Sequence, residues 1–359
     1  MTPAYLVSPR YDALWFVGPA LLALVWGIFL GVATPTPAPV RTGLWLVAVV
    51  LVDVAHVYAT VFRTYADAEA RRLHGRRLVL IPVVCLWVGF LVHLASPLWF
   101  WRLWAYVAVF HFIQQHVGFA LLYARKGGEP ATERPWIRLA VWAGTAAPVV
   151  VWHATLPREI AWFVDGDFFV GLPPVAGTVA MLLAAAILGA WIVHRVRLHL
   201  RGRANPMTDA MVLLPAATWF VGIVAFDDDR IFTVTNVLLH GIPYMALVFV
   251  TGGRRLVTRR LPRLAATPVA AAAIFYVLLS TWALVEEGLW DLFVHHDRPE
   301  LFGTGVAIAD PSVVALAAAL LSVPQTTHYL LDRWIWRAGP LNPHLASDLG
   351  FAPRSTPPP

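Results

Sequence analysis

The stretch TGLWLVAVVLVDVAHVYATVF, residues 42–62, decides the fold. As a helix, its apolar run is about 30 Å long, which matches the hydrocarbon core of a bilayer. It nevertheless carries Asp53 and His56 past its middle, one helical turn apart. Ionisable side chains at such depth are costly to bury and mark a functional site by default. One segment therefore yields two expectations: a membrane-spanning helix, and a polar site within the membrane.

Comparable runs recur along the whole chain. The hydropathy pattern predicts ten spans: Asp12–Val32, Thr42–Phe62, Arg77–Ala95, Leu98–Ala124, Trp136–Trp152, Pro173–Val193, Ala210–Phe226, Ile231–Val250, Thr267–Val285 and Pro311–Leu331. Composition agrees, since 13% of residues are charged against roughly 25% in soluble domains. Mean hydropathy is +0.66. The expected fold class is all-α, a polytopic transmembrane helical bundle over residues 1–338. A Pro-rich, disordered cytoplasmic tail is expected over 339–359. No cleavable signal peptide is expected, because the first apolar run is long and lacks a small-residue cleavage site at its end.

Charge sets the expected orientation. With both termini cytoplasmic, 22 of the 27 Lys and Arg residues fall on the cytoplasmic side, as the positive-inside rule requires. The clusters Arg71–Arg77, Arg195–Arg203 and Arg254–Arg263 then face inward, and Glu286, Glu287 and Asp291 lie in an outer loop. The net charge of +6 is thus a topological signal. It implies contact with anionic headgroups and excludes a nucleic-acid partner, because no basic block outside the spans is interleaved with aromatics. The expected location is the bacterial cytoplasmic (inner) membrane. Cys85, the single cysteine, lies inside the third span, so no intrachain disulfide forms. Residues Arg158–Val170 are expected to lie along the outer interface with Trp162, Phe168 and Phe169 towards lipid.

Five histidines and two aspartates lie on, or at the end of, even-numbered spans: Asp53 and His56, His111 and His116, His240, and His328 with Asp332. All even spans run in one direction, so depth can be compared by counting from their starts. The five histidines fall within nine residues of one another in depth, roughly 13 Å. Asp53 and His56, and His328 and Asp332, are spaced to share one helix face. Gln115, Asn236 and Gln325 stand one turn from His111, His240 and His328. Such neighbours suit metal ligands, whose second ring nitrogen must be oriented. His111 and His116 are five apart and share a site only if a π-bulge intervenes. Alternative readings are an interfacial Asp332 beside Arg333 and a His116 that hydrogen-bonds across helices.

Histidines spread over several spans at one depth resemble the integral-membrane non-haem iron oxygenases, which include the Brp/Blh-type carotenoid-cleaving proteins and the fatty-acid desaturase–hydroxylase group. The resemblance covers spans two to ten and lies in architecture and ligand type. The desaturase boxes H-x3-H and H-x2-H-H are absent. It implies mono- or dinuclear iron, or another transition metal, and oxidation of an apolar small molecule or lipid with electrons from a donor partner.

The expected function is therefore a membrane metal-dependent oxidoreductase. His56, His111, His240 and His328 are the primary ligands, with His116 a fifth ligand or the start of a second site. Asp53 ligates, orients His56 or acts catalytically, and Asp332 orients His328. Tyr244 and Tyr329 stand as catalytic groups beside the metal. Two other functions fit the same residues: a b-type haem electron carrier and a proton- or metal-coupled transporter.

Overall fold

The computed structural model describes residues 4–34, 36–38, 40–337 and 342–351. Among these residues every regular element is helical, and ten helices are long and apolar enough to cross a membrane. They are α1 (Pro9–Ala33), α2 (Thr42–Arg63), α3 (Ala68–Ala95), α4 (Pro97–Lys126), α5 (Ala131–Ala154), α6 (Pro174–Leu200), α7 (Pro206–Ala225), α8 (Asp229–Arg260), α9 (Pro268–His295) and α10 (Pro311–Ile335). A short α11 (Pro343–Asp348) follows.

Several starts share one device. Ser96, Asn205, Thr267 and Asp310 each accept a first-turn backbone N–H, and each is followed by proline at the first helical position. The side chain satisfies an orphan donor, and proline removes another. Asp67 caps α3 in the same way without proline, accepting the N–H groups of Glu69 and Ala70. That cap starts α3 well before the expected Arg77, so the basic stretch 71–77 is helical.

α9 runs past the expected Val285 to His295. Glu286, Glu287 and Asp291 are therefore helical rather than in a loop. Glu286 is 5% exposed and accepts the Tyr58 hydroxyl of α2 at 2.5 Å and Trp290 Nε1 at 3.3 Å. These partners are what hold a carboxylate in the bundle.

α8 is the central staff: 89% of its most apolar stretch is buried, against 17% for α6 on the outside. α1, α2, α4 and α7 pack around α8, α3 packs on α10, and α5 on α6. Lipid tails are as apolar as leucine, so helices associate through close packing, which small residues permit. Gly241 of α8 shows this most directly. A Cβ there would stand 2.8 Å from both the carbonyl oxygen and Cγ1 of Val52 on α2.

The loop 158–170 folds inward. Phe168 is 2% exposed and sits against Trp152 at 4.7 Å, and Trp162 lies 5.2 Å from Phe112. Of the three aromatics expected to face lipid, Phe169 alone is exposed. Arg158 anchors the loop through Asp227 Oδ1 (3.1 Å) and the Phe226 carbonyl (2.9 Å). Asp167 ties its turn by accepting the N–H groups of Phe163 (2.6 Å) and Val164 (3.2 Å). Burial pushes the Asp167 carboxyl above the usual aspartate range, and those two N–H groups act in the opposite direction.

At the basic end, two arginines bind protein instead of headgroups. Arg195 is 3% exposed and is held by Glu129 (2.6 and 2.8 Å) and Asp209 (2.5 Å). Arg63 reaches the Thr251 carbonyl (2.6 Å) and Asn342 Oδ1 (2.9 Å). The tail expected to be disordered needs correction over residues 342–351. There α11 buries Leu345 and Leu349 in the main core cluster, with Phe351 beside them. The apolar spacing of these three residues gives the segment a face to bury. Residues 339–341 and 352–359 lie outside the described residues.

Candidate metal centre

Four helices each deliver one imidazole to a single point. His56 comes from α2, His111 from α4, His240 from α8 and His328 from α10, and one nitrogen from each lies within 4.8 Å of the others. All four rings are at most 5% exposed. His328 Nε2 faces His111 Nε2 at 3.1 Å. His56 stands 4.5 Å, centroid to centroid, from His240 and 4.9 Å from His328. For metal–nitrogen bonds of about 2.05 Å, donors of a tetrahedral site are about 3.3 Å apart, and those of a square-planar or octahedral site about 2.9 Å when adjacent and about 4.1 Å when opposite. The set is therefore slightly wider than a bound ion would require.

Local structure explains how His56 arrives. α2 is π-helical over Leu46–Val54 and becomes α-helical at Ala55. The close approach of Gly241 to Val52 then draws this helix onto α8 beside His240. α4 is α-helical throughout Pro97–Lys126, with no π-bulge between His111 and His116. His116 accordingly lies outside the four-histidine set, 6.4 Å from His240 by ring centroids, with its Nε2 unpaired.

Both ring nitrogens of His240 and both of His56 lack a hydrogen-bond partner. Unpaired buried nitrogens are expensive in a bundle core. Aromatic rings brace the set on two sides. Phe112 stacks on His240 at 3.5 Å with a 7° interplanar angle, and Tyr329 stacks on His111 at 4.4 Å.

A directional hydrogen-bond chain supports His328. Tyr244 donates to Asp332 Oδ1 at 2.7 Å. Thr60 Oγ1 lies 2.8 Å from the Tyr244 hydroxyl and 2.6 Å from His328 Nδ1. With the carboxylate accepting at one end, each hydroxyl donates towards it, and Thr60 accepts from Nδ1–H of His328. That assignment leaves Nε2 of His328 with its lone pair directed at the other imidazoles. Asp332 thus reaches His328 through Tyr244 and Thr60, its direct separation from Nδ1 being 3.7 Å. Asp53 Oδ1 lies 3.6 Å from His56 Nδ1 and has no hydrogen-bond partner.

The expected amide companions serve other partners. Gln115 donates to the His240 carbonyl (2.7 Å), Gln325 to the Tyr329 hydroxyl (2.6 Å), and Asn236 to the Phe232 carbonyl (2.9 Å). Thr60 and Phe112 escaped the sequence reading. Thr60 stands four residues after His56 on the same face, but a helical threonine ordinarily bonds its own backbone, so its spacing carries little signal.

A cavity of about 460 Å³ lies between the acidic end of the bundle and residues beside the four imidazoles, none of which lines it. Its inner end is formed by Asp53, Phe112 and Tyr329, each of which touches one of the four imidazoles. Its outer part is lined by the 158–170 loop and by residues at the end of α9. No family model, curated protein or solved structure matches the chain.

Proposed function

We propose that the four imidazoles hold a redox-active transition metal, iron first, and that the protein is an integral-membrane oxidoreductase. Its substrate has an apolar body and binds in the cavity at the metal. The observation carrying this reading is the convergence of four buried imidazole donors from four helices, with His56 and His240 left unpaired. A metal would take one nitrogen from each of the four rings, relieving one unpaired nitrogen on His56 and one on His240. Neutral imidazole donors without thiolate suit iron, copper, zinc or nickel. Iron bound there would supply one-electron and dioxygen chemistry.

The surrounding residues have separable roles in this reading. Thr60 holds the tautomer of His328, and Asp332 with Tyr244 fixes Thr60. Phe112 and Tyr329 keep two rings from rotating and bound the space where substrate meets the centre. Asp53, at the boundary of cavity and centre, is placed to take or give a proton at its Oδ1. The basic end faces the cytoplasm and the acidic end faces outward, as the charge bias favours. The crowding of four rings weighs against haem, because a porphyrin placed between any two would displace the others.

The test is metal analysis by mass spectrometry with an ultraviolet-visible spectrum on protein purified in mild detergent. The expected result is about one equivalent of iron with no Soret band, lost in His240→Gln and His328→Ala. Protein that stays metal-free after anaerobic Fe(II) loading would refute the reading.

A further inference from the structure

The cavity above the centre has a composition that the metal chemistry does not require. Seven carboxylate side chains line it against one arginine, Arg298. Two of those carboxylates have oxygens without partners. Asp291, 4% exposed, uses Oδ1 to accept the N–H groups of Asp297 (2.8 Å) and Arg298 (2.7 Å), while its Oδ2 is unpaired. Asp53 Oδ1 is unpaired at the inner end, and so is Oδ1 of Asn236, a residue 2% exposed. All three residues line the cavity.

The remaining wall is aromatic. Trp45, Trp101, Trp104, Trp162 and Trp290 line the chamber. The arginine already uses one of these faces, its guanidinium lying 5.2 Å from the Trp45 ring. Indole faces attract cations through the ring quadrupole, more strongly when water is excluded. Carboxylates and unpaired acceptors set in the wall of a space bounded by indoles favour a partner that donates hydrogen bonds or carries positive charge. An anion would meet seven carboxylates, and a neutral hydrocarbon would leave them without a counter-charge.

We infer that the chamber binds an organic cation: an amine or quaternary ammonium compound with an apolar body. Its charged group sits among the carboxylates and its body lies against the indoles. The volume suits such a molecule, since small-molecule pockets run from about 300 to 1,000 Å³. The inference deepens the metal-centre reading and rests on it for what happens to the bound molecule. Binding itself is measured separately.

The experiment is isothermal titration of the full-length protein in a neutral maltoside detergent. The probes are benzyltrimethylammonium, uncharged benzyl alcohol and anionic phenylacetate, and metal content is measured on every preparation. The expected result is one saturable site for the cation, with the other two probes weaker by about tenfold or more. Glu287→Gln is expected to weaken the cation by about tenfold or more, the scale of one charge–charge contact in a partly desolvated site. Trp101→Leu should weaken it several-fold with the metal retained.

Equal affinity for benzyl alcohol would overturn the inference. So would displacement of the probe by millimolar Mg2+, which would mark a site for inorganic cations. Unchanged binding in Glu287→Gln and also in Asp165→Asn would overturn it as well. Metal-free protein that still selects the cation would support the chamber while refuting the metal centre. Metal-loaded protein indifferent to probe charge would do the reverse.

Discussion

Replacing Gly241 with alanine would place a methyl carbon 2.8 Å from the Val52 carbonyl oxygen and from Val52 Cγ1. Ordinary contacts of this kind need about 3.5 Å, so α2 and α8 must separate by roughly half an ångström. The Val52 carbonyl is backbone, so no side-chain rotation relieves it. His240 adjoins Gly241, and His56 follows Val52 by one turn. The separation therefore falls directly between two donors. Metal sites tolerate ligand shifts of about 0.2 Å, so the movement exceeds what the centre absorbs. Overpacking of this kind costs about 1–3 kcal/mol, which is roughly 5- to 150-fold in metal affinity if the bound form bears it.

The assay is competition for Fe(II) with a chromophoric chelator under anaerobic conditions, alongside thermal unfolding. Gly144→Ala is the control. Its Cβ would meet Ala216 Cβ at 2.5 Å, between α5 and α7. It should lower stability while leaving metal affinity within about twofold of wild type. If Gly241→Ala folds and binds metal as tightly as wild type, the α2–α8 approach does not set the donor geometry and the reasoning fails.

Other perturbations read separate parts of the structure. Thr60→Val keeps the shape but removes the acceptor for His328 Nδ1, and metal affinity should fall about 10- to 100-fold in the same chelator assay. Leu345→Ala hollows the contact of α11 with the core and should cost on the order of 2–5 kcal/mol, read as a lower unfolding temperature with metal content retained. Because burial raises the folded pKa of Asp167, its contribution to stability is complete below the unfolded value of about 3.9 and is lost as pH rises through the folded value. Wild type should therefore lose stability relative to Asp167→Asn as pH rises above about 4; parallel pH profiles of unfolding temperature would contradict this.

The bundle was legible because bilayer thickness imposes a length that apolar runs must meet, and ten runs meet it. His56, His111, His240 and His328 were legible because charge and imidazole are rare at that depth. Their grouping at one point followed from depth counted along helices that run the same way. The exclusion of His116 was not legible, because it depends on α4 staying regular where a π-bulge was equally allowed. Glu286 read as a loop residue because its stabilisers, Tyr58 and Trp290, include one from a distant helix. Thr60 was hidden for a similar reason, since its useful partners, Tyr244 and His328, belong to other helices. The loop 158–170 misled because aromatics that face lipid and aromatics that line a chamber have the same composition.

The π-helical stretch Leu46–Val54 gives α2 two phases in one rod. A π-turn carries one residue more than the α-turn it replaces. Side chains before it are therefore rotated relative to those after it, by about 100° per inserted residue. Trp45, Val49, Asp53 and Val54 line the chamber, while His56 and Thr60 beyond them belong to the histidine cluster and its hydrogen-bond chain. Losing one residue between 46 and 52 would turn Trp45 relative to Asp53 and His56. If the proposed function holds, such a joint lets the mouth of the chamber change its facing residues while Asp53 and the imidazoles keep their places.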